Sequence, residues 1–145
     1  MKIRTKYHGE VHVDENETIT FSNGIPGFLE EKKFVILPFG EDTGISVMQS
    51  FGNDQVAFVV TNPFFFLTDY DFTIDDQAVE QLKLENEKDV SVFAILTVQD
   101  PFEKTTANLQ APVVINNKKK LGKQVILMNT NYQTKHSIFD KVSMK

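Results

Sequence analysis

The sequence contains neither cysteine nor tryptophan among its 145 residues. The absence of cysteine excludes disulfide bonds, thiolate metal sites and cysteine nucleophiles, and it is typical of a protein from a reducing cytoplasm. No run approaches the roughly 18 consecutive apolar residues that a membrane-spanning helix needs, and no secretory signal follows the N-terminus. We therefore expect a cytoplasmic protein whose residues 1–145 form one domain, since a chain of this length supports a single core.

Motifs for catalysis and for metal binding are missing as well. The sequence has no Gly-x-Ser-x-Gly elbow for a serine nucleophile. The loop at 40–44 lacks the Lys-Ser/Thr pair of a phosphate-binding loop. His8 and His12 lie in a segment that favours an extended conformation, which would place them about 13 Å apart, too far for one metal ion. We predict a protein with no catalytic activity, no metal and no cofactor.

Charge is distributed unevenly along the chain. Residues 1–117 hold 8 Lys/Arg and 19 Asp/Glu, whereas residues 118–145 hold 7 lysines and a single acid, Asp140. An acidic body repels nucleic acid, because each phosphate contact needs a cation. It attracts a basic protein partner. An acidic surface also keeps a protein soluble, so charge alone leaves both interpretations open.

The basic end contains three consecutive lysines, Lys118–Lys120. They could form a small patch for nucleic acid or lipid, or a solvated turn between two strands. Asn116, Asn117 and Gly122 favour the turn, since Asn and Gly are typical turn residues. The segment has no aromatic side chain on which a base could stack, so we expect no direct binding of nucleic acid and no membrane contact.

Most of the chain has the pattern of short strands. Eight segments are rich in β-branched or aromatic residues and are bounded by Gly, Pro, Asn or Asp. These segments are 2–7, 18–21, 34–37, 45–48, 56–60, 90–98, 112–115 and 124–128. The spacing predicts a mainly β fold, an antiparallel β-barrel-like or sandwich domain with one or two short helices. One helix of about two turns is predicted after a cap at Thr73 or Asp75, and a second turn of helix at Pro26.

Two segments carry a more specific pattern. The first, residues 21–28, places Gly24, Pro26 and Gly27 between Phe21 and Phe28. The second, residues 105–116, places Asn108 and then Ala111-Pro112 ahead of an apolar strand that ends in asparagine.

With the shorter segments Asn62-Pro63-Phe64 and Asp69-Tyr70, this order resembles the family of the flagellar assembly factor FliW from about residue 21 to 136. One departure lies at Val47-Met48-Gln49-Ser50, where many members have a tryptophan.

The resemblance implies a small non-catalytic cytoplasmic β-barrel protein with two alternative protein partners. One is CsrA, an RNA-binding translational regulator, and the other is flagellin. When it is bound to CsrA, such a protein relieves the repression of flagellin mRNA. Flagellin that accumulates then binds this protein instead, and CsrA becomes free again. A role in assisting filament assembly is also implied. We expect a monomer when no partner is bound.

An acidic run next to phenylalanines is the predicted partner-binding surface. Residues 69–89 hold eight acids and two lysines, directly after Pro63-Phe64-Phe65-Phe66-Leu67. On a strand these rings cannot all point inward, so we predict that some are exposed beside the acids, as in protein interfaces. The alternatives are burial of the rings and simple solvation of the acids. The candidate contact residues are Phe64, Phe65, Asp69, Asp71, Asp75, Asp76 and Glu80.

Two other functions compete with this one. A β-barrel with phenylalanine-rich walls could be a carrier or an enzyme for a small apolar ligand, in which case the structure should contain a large enclosed pocket. Direct RNA binding through the lysine-rich end is the third possibility. A filled core beside an acidic and partly apolar surface favours the binding protein.

Overall fold

A computed structural model describes residues 2–39, 44–128 and 130–137. Within these residues one α-helix and eleven strands are defined. The helix is α1 (Asp76–Gln81), whose six residues are too few to cross a membrane. The strands are β1 (Lys2–Arg4), β2 (Glu10–His12), β3 (Ile19–Thr20), β4 (Lys33–Pro38), β5 (Ile45–Ser50), β6 (Ala57–Thr61), β7 (Val90–Thr97), β8 (Thr106–Ala107), β9 (Val113–Asn116), β10 (Leu121–Gln124) and β11 (His136–Ser137).

Seven of the strands close into a barrel. The order β7–β6–β5–β4–β3–β10–β9 returns to β7 because β7 also pairs with β9. All these pairings are antiparallel except the one between β10 and β3, where Leu121 is opposite Thr20. Strands β8 and β11 add to the side of β7. The predicted mainly β, barrel-like fold with a short helix is confirmed.

Side chains fill the interior of the barrel. Alternate residues of each strand point inward, as the pleat requires. Phe21 and Phe34 are fully buried there, and their ring centroids are 5.2 Å apart. They form one apolar cluster with six further buried residues, Ile19, Ile25, Met48, Val60, Val113 and Ile115. This core occupies the space that a small apolar ligand would need.

The opposite faces of the same strands are covered in two places. The hairpin β1–β2 places Ile3 and Val13 against Val35 of β4. The buried Gln49 of β5 joins that hairpin by accepting a hydrogen bond from the backbone N–H of Lys6 at 2.9 Å. On the other side, the segment 70–84 with α1 covers the outward side chains of β7 and β9. The acidic run thus lies on a covering layer rather than on the barrel wall.

Two local predictions are wrong. Of the predicted strand 124–128 only Gln124 lies in a strand, because the β9–β10 hairpin pairs Asn116 with Leu121 and its last pair is Val113 with Gln124. No helical turn begins at Pro26; residues 25–28 form a tight turn closed by a bridge between Ile25 and Phe28.

The predicted lysine turn at 118–120 is confirmed: it connects β9 to β10. In this turn Lys120 has a φ of 56°. The predicted loop at 40–44 lies outside the described residues, except for its last residue, Gly44.

Candidate protein-interaction surface

The phenylalanine-rich segment forms a turn of 3-10 helix, Pro63–Phe65, instead of the expected strand. The side-chain oxygen of Asn62 accepts a hydrogen bond from the backbone N–H of Phe64 at 2.9 Å and caps the turn. Pro63 occupies the first helical position, where its missing N–H has no cost. The turn directs two rings outward, with Phe64 37% and Phe65 67% exposed. The predicted exposure of aromatic rings is confirmed, although a strand does not cause it.

Neighbouring side chains hold this turn in place. The Phe64 ring lies 5.7 Å from the ring of the buried Tyr70. The Phe65 ring lies over Gly44, where a Cβ atom would be 3.2 Å from Cδ2 of that ring. The two rings therefore form a partly apolar surface on a supported base, which is the type of surface that an interface uses.

Tyr70 anchors the acidic segment to the core. Its hydroxyl donates a 2.6 Å hydrogen bond to the carbonyl oxygen of Leu109, and its ring contacts Phe72 and Tyr132 at 5.3 Å and 4.7 Å. The hydroxyl of Tyr132 in turn accepts from the backbone N–H of Asp71 at 3.0 Å. Burial, with a smaller contribution from Tyr132, raises the pKa of the Tyr70 hydroxyl well above its ordinary value.

This raised pKa predicts a loss of stability in alkali. Above about pH 10 the unfolded chain ionises Tyr70 while the folded chain still holds the proton, so the free energy of unfolding falls as the pH rises. Urea unfolding between neutral pH and alkaline pH will measure the decline. We expect Tyr70→Phe to be less stable at neutral pH by about 1–2 kcal/mol, because the Leu109 carbonyl loses its donor, and to decline less steeply in alkali. An equal decline in both proteins would contradict the assignment.

The five candidate acids all lie on the surface. Asp69, Asp71, Asp75, Asp76 and Glu80 are exposed. Asp75 has a structural role too, because its side chain accepts a hydrogen bond from the backbone N–H of Ala78 at 2.7 Å and caps α1. The cap therefore lies at Asp75, one of the two predicted positions. Asp76 is in the first turn of the helix, where the positive end of the helix dipole favours an acid.

Among the described residues, these carboxylates have no cationic partner. Across the described ranges, an ion pair joins only Lys2 to Glu10, at 3.7 Å. Within the part of the chain that the structure describes, the negative field of the 69–80 segment is therefore directed at solvent and is compensated by no ion pair. A basic surface of another protein could approach it without first breaking an internal ion pair.

The residues that carry the family resemblance stabilise turns. Gly24 has a φ of 67°, and a Cβ atom there would lie 2.5 Å from the carbonyl oxygen of Leu29. Pro26 and Gly27, with φ of 87° at Gly27, form the tight turn that leads to Phe28. The Phe28 ring is 42% exposed and packs edge-on against Phe58 at 5.2 Å.

The second motif lies next to the acidic segment. The side chain of Asn108 accepts from the backbone N–H of Ala111 at 3.0 Å, and the carbonyl oxygen of Pro112 accepts from the backbone N–H of Val125 at 2.9 Å. Leu109, between them, receives the Tyr70 hydrogen bond. The structure thus brings the 108–112 motif and the acidic segment together.

Two exposed apolar residues beside the acids are absent from the sequence prediction. Ile126 is 57% exposed and Met128 is 75% exposed. They lie with Asp71 and Asp75 along one surface groove. The residues of 124–128 follow the pattern of a strand, so nothing in the sequence indicated that two of their apolar side chains face solvent.

Comparison with known proteins identifies the family. The family model described as FliW protein matches residues 2–138. The chain belongs to the FliW family. The resemblance found in the two turn motifs is therefore confirmed.

Relatives in this family match over almost their whole length. The flagellar assembly factor FliW of Geobacillus kaustophilus (strain HTA426) is 54% identical over 139 residues, 96% of each chain. That of Bacillus subtilis (strain 168) is 49% identical over 138 residues, 95% of this chain and 96% of the relative. A crystal structure of the flagellar assembly factor FliW superimposes with a TM-score of 0.90 and 51% identity, covering 95% of this chain and 96% of that one.

Proposed function

We propose that this protein acts in flagellar assembly as a regulatory binding protein of the cytoplasm. It binds CsrA, prevents that regulator from repressing flagellin mRNA, and is released from this role when flagellin binds it instead. It is a monomer when no partner is bound, and it transforms no substrate. Membership of the FliW family supports the role in flagellar assembly.

The observation that carries the proposal is the uncompensated acidic surface beside exposed aromatic rings. Asp69, Asp71 and Glu80 are exposed and form no ion pair within the described part of the chain, and Phe64 and Phe65 supply apolar area nearby. A protein that binds RNA presents cations to phosphates, so the acids can attract it and repel RNA at the same place. The rings add the apolar contact that charge alone does not provide.

The alternative of a small-molecule carrier finds less support. The barrel interior is filled by Phe21, Phe34 and the side chains packed around them. The grooves of the covering layer lie at the surface and have charged residues in their walls. Both features favour a protein that binds other macromolecules.

Charge reversal at three acids tests the proposal. In Asp69→Lys/Asp71→Lys/Glu80→Lys we expect CsrA binding to weaken by about tenfold or more, because several exposed charges of a few tenths of a kcal/mol each change from attraction to repulsion. Asp75 and Asp76 are left unchanged because they stabilise the start of α1. Calorimetric titration with CsrA at several salt concentrations measures the effect, and the variant should show a weaker salt dependence than the parent.

A second triple variant, Glu15→Lys/Glu30→Lys/Glu103→Lys, serves as the control. It makes the same change in net charge at exposed positions outside the 69–89 run. If both variants weaken CsrA binding equally, only the overall charge matters and the proposed surface is wrong.

A gel-shift experiment with RNA and the parent protein at physiological salt tests the third possibility, direct RNA binding at 118–120.

A further inference from the structure

The groove beside the acids runs between two segments whose burial alternates as in strands, although neither is assigned as a strand. One wall is the segment 71–75 and the other is 125–128 together with Thr130, and the groove has a volume of about 490 Å³. In the first wall Phe72 and Ile74 turn inward while the residues on either side are exposed. In the second wall Val125 and Leu127 are buried while Ile126 and Met128 are exposed. Both walls therefore alternate with the period of a strand.

Hydrogen bonding leaves one edge of the second wall open. The backbone N–H of Val125 donates to the carbonyl oxygen of Pro112 at 2.9 Å, and that of Leu127 donates to Gln110 at 2.8 Å. Because successive N–H groups of an extended chain point to opposite sides, those of Ile126 and Met128 point away from residues 110–112. Neither of these two N–H groups has a hydrogen-bond partner in the described part of the chain.

The neighbouring strand of the barrel does not cover this edge. Strand β3 meets β10 only at the pair Thr20–Leu121, so no strand lies beside the chain after Gln124 on that side, within the residues described. An open edge is a template for another extended chain, since an added strand satisfies the unpaired backbone groups. Charged residues on its rim limit indiscriminate pairing, and here Asp71 and Asp75 stand along the groove.

We propose that this groove binds an extended segment of a partner protein as an added β-strand, one in which lysine or arginine alternates with apolar residues. The side chains on one face of such a strand would meet the carboxylates of Asp71 and Asp75. Those on the other face would lie beside Ile126 and Met128, as cross-strand neighbours do. The groove lies on the acidic surface described above, so the identity of its natural partner rests on the proposed function. The peptide test below does not depend on that function.

The test uses a synthetic eight-residue peptide of alternating lysine and valine, blocked at both ends. Amide hydrogen exchange of the full chain is followed residue by residue by NMR with and without the peptide. At saturation we expect exchange at Ile126 and Met128 to slow by about tenfold or more, because their N–H groups become hydrogen-bonded. Exchange at Val125 and Leu127, which are already bonded, should change much less.

Two controls separate strand pairing from simple charge attraction. A peptide of alternating glutamate and valine should not bind. The variant Asp71→Asn/Asp75→Asn should bind the lysine peptide at least about threefold more weakly while keeping its fold, because asparagine retains the acceptor that caps α1. Absence of lysine-peptide binding, or binding that leaves Ile126 and Met128 unprotected, would overturn the inference.

Self-association gives a different result. Protection of Ile126 and Met128 that appears without peptide and increases with protein concentration would mean that a second copy of the chain occupies the edge, and it would also overturn the inference. Failure of the peptide with normal CsrA binding leaves the proposed function standing. Peptide binding at the groove, with neither CsrA nor flagellin bound by the same protein, refutes the proposed function alone.

Discussion

Replacing Gly122 with alanine is expected to lower the free energy of unfolding by about 2–3 kcal/mol, the cost of overpacking a close-packed core. A Cβ atom at this position would lie 2.5 Å from Cζ of Phe21, and 2.8 Å and 2.9 Å from the two Cε atoms of that ring. Phe21 cannot retreat, because it is fully buried and its ring is packed against Phe34. Strand β10 must therefore separate from the ring, or the ring must leave its rotamer.

Urea unfolding of four variants, Gly122→Ala, Gly52→Ala, Phe21→Leu and the double variant, isolates the cause. Gly52→Ala is the matched glycine control, since a Cβ there would meet only Oε1 of Glu31 at 3.7 Å, an ordinary contact. The double variant Gly122→Ala/Phe21→Leu should lose at least about 1 kcal/mol less free energy of unfolding than the two single variants lose in sum, because the smaller side chain at position 21 relieves the clash. Additive losses, or equal losses at Gly52 and Gly122, would show that ring contact is not the reason.

Asn116→Ala is expected to lower the free energy of unfolding by about 3 kcal/mol, because several hydrogen bonds to one buried side chain are lost. Its Nδ2 group donates to the carbonyl oxygens of Leu82 at 2.8 Å and Lys83 at 3.1 Å. Its Oδ1 accepts from the backbone N–H groups of Lys118 at 3.0 Å and Lys119 at 3.1 Å. One buried amide therefore connects the end of α1 to the turn between β9 and β10.

Asn117 is the natural control for this prediction. It adjoins Asn116 but is exposed, and its side chain donates one hydrogen bond, to Oγ of Ser91 at 2.6 Å. Asn117→Ala should change stability by less than about 1 kcal/mol. Thermal unfolding monitored by circular dichroism compares the two variants. A loss at Asn117 as large as that at Asn116 would mean that turn propensity, rather than the connection to α1, accounts for the effect.

Predictions from sequence succeeded where the structure depends on near neighbours. Asp75 caps α1 because its carboxylate reaches an N–H three residues further on, and this relation is visible in the sequence. The lysine turn at 118–120 follows in the same way from Asn116 and Asn117. The prediction of a strand at 124–128 was wrong. The apolar alternation continues through this segment, but the pairing with β9 ends at Gln124.

The candidate surface was partly predictable for a similar reason. The acidic surface at 69–80 was predicted from the density of charge, and the exposure of some of the phenylalanine rings was predicted from their number in one short segment. Ile126 and Met128 were missed because they are distant in sequence and come beside Asp71 only when the covering layer is in place.

The sequence by itself determined the absence of cysteine chemistry, the short strands, a short helix capped at Thr73 or Asp75, the uneven charge and the family. Only the tertiary structure decided that Phe21 fills the space opposite Gly122, that Asn116 joins two elements, and that an acidic segment lies along an open strand edge. The physical reason is the range of the interactions. Periodicity, capping and turn chemistry act over a few residues, whereas closure of the barrel brings together residues about a hundred positions apart, as for Phe21 and Gly122.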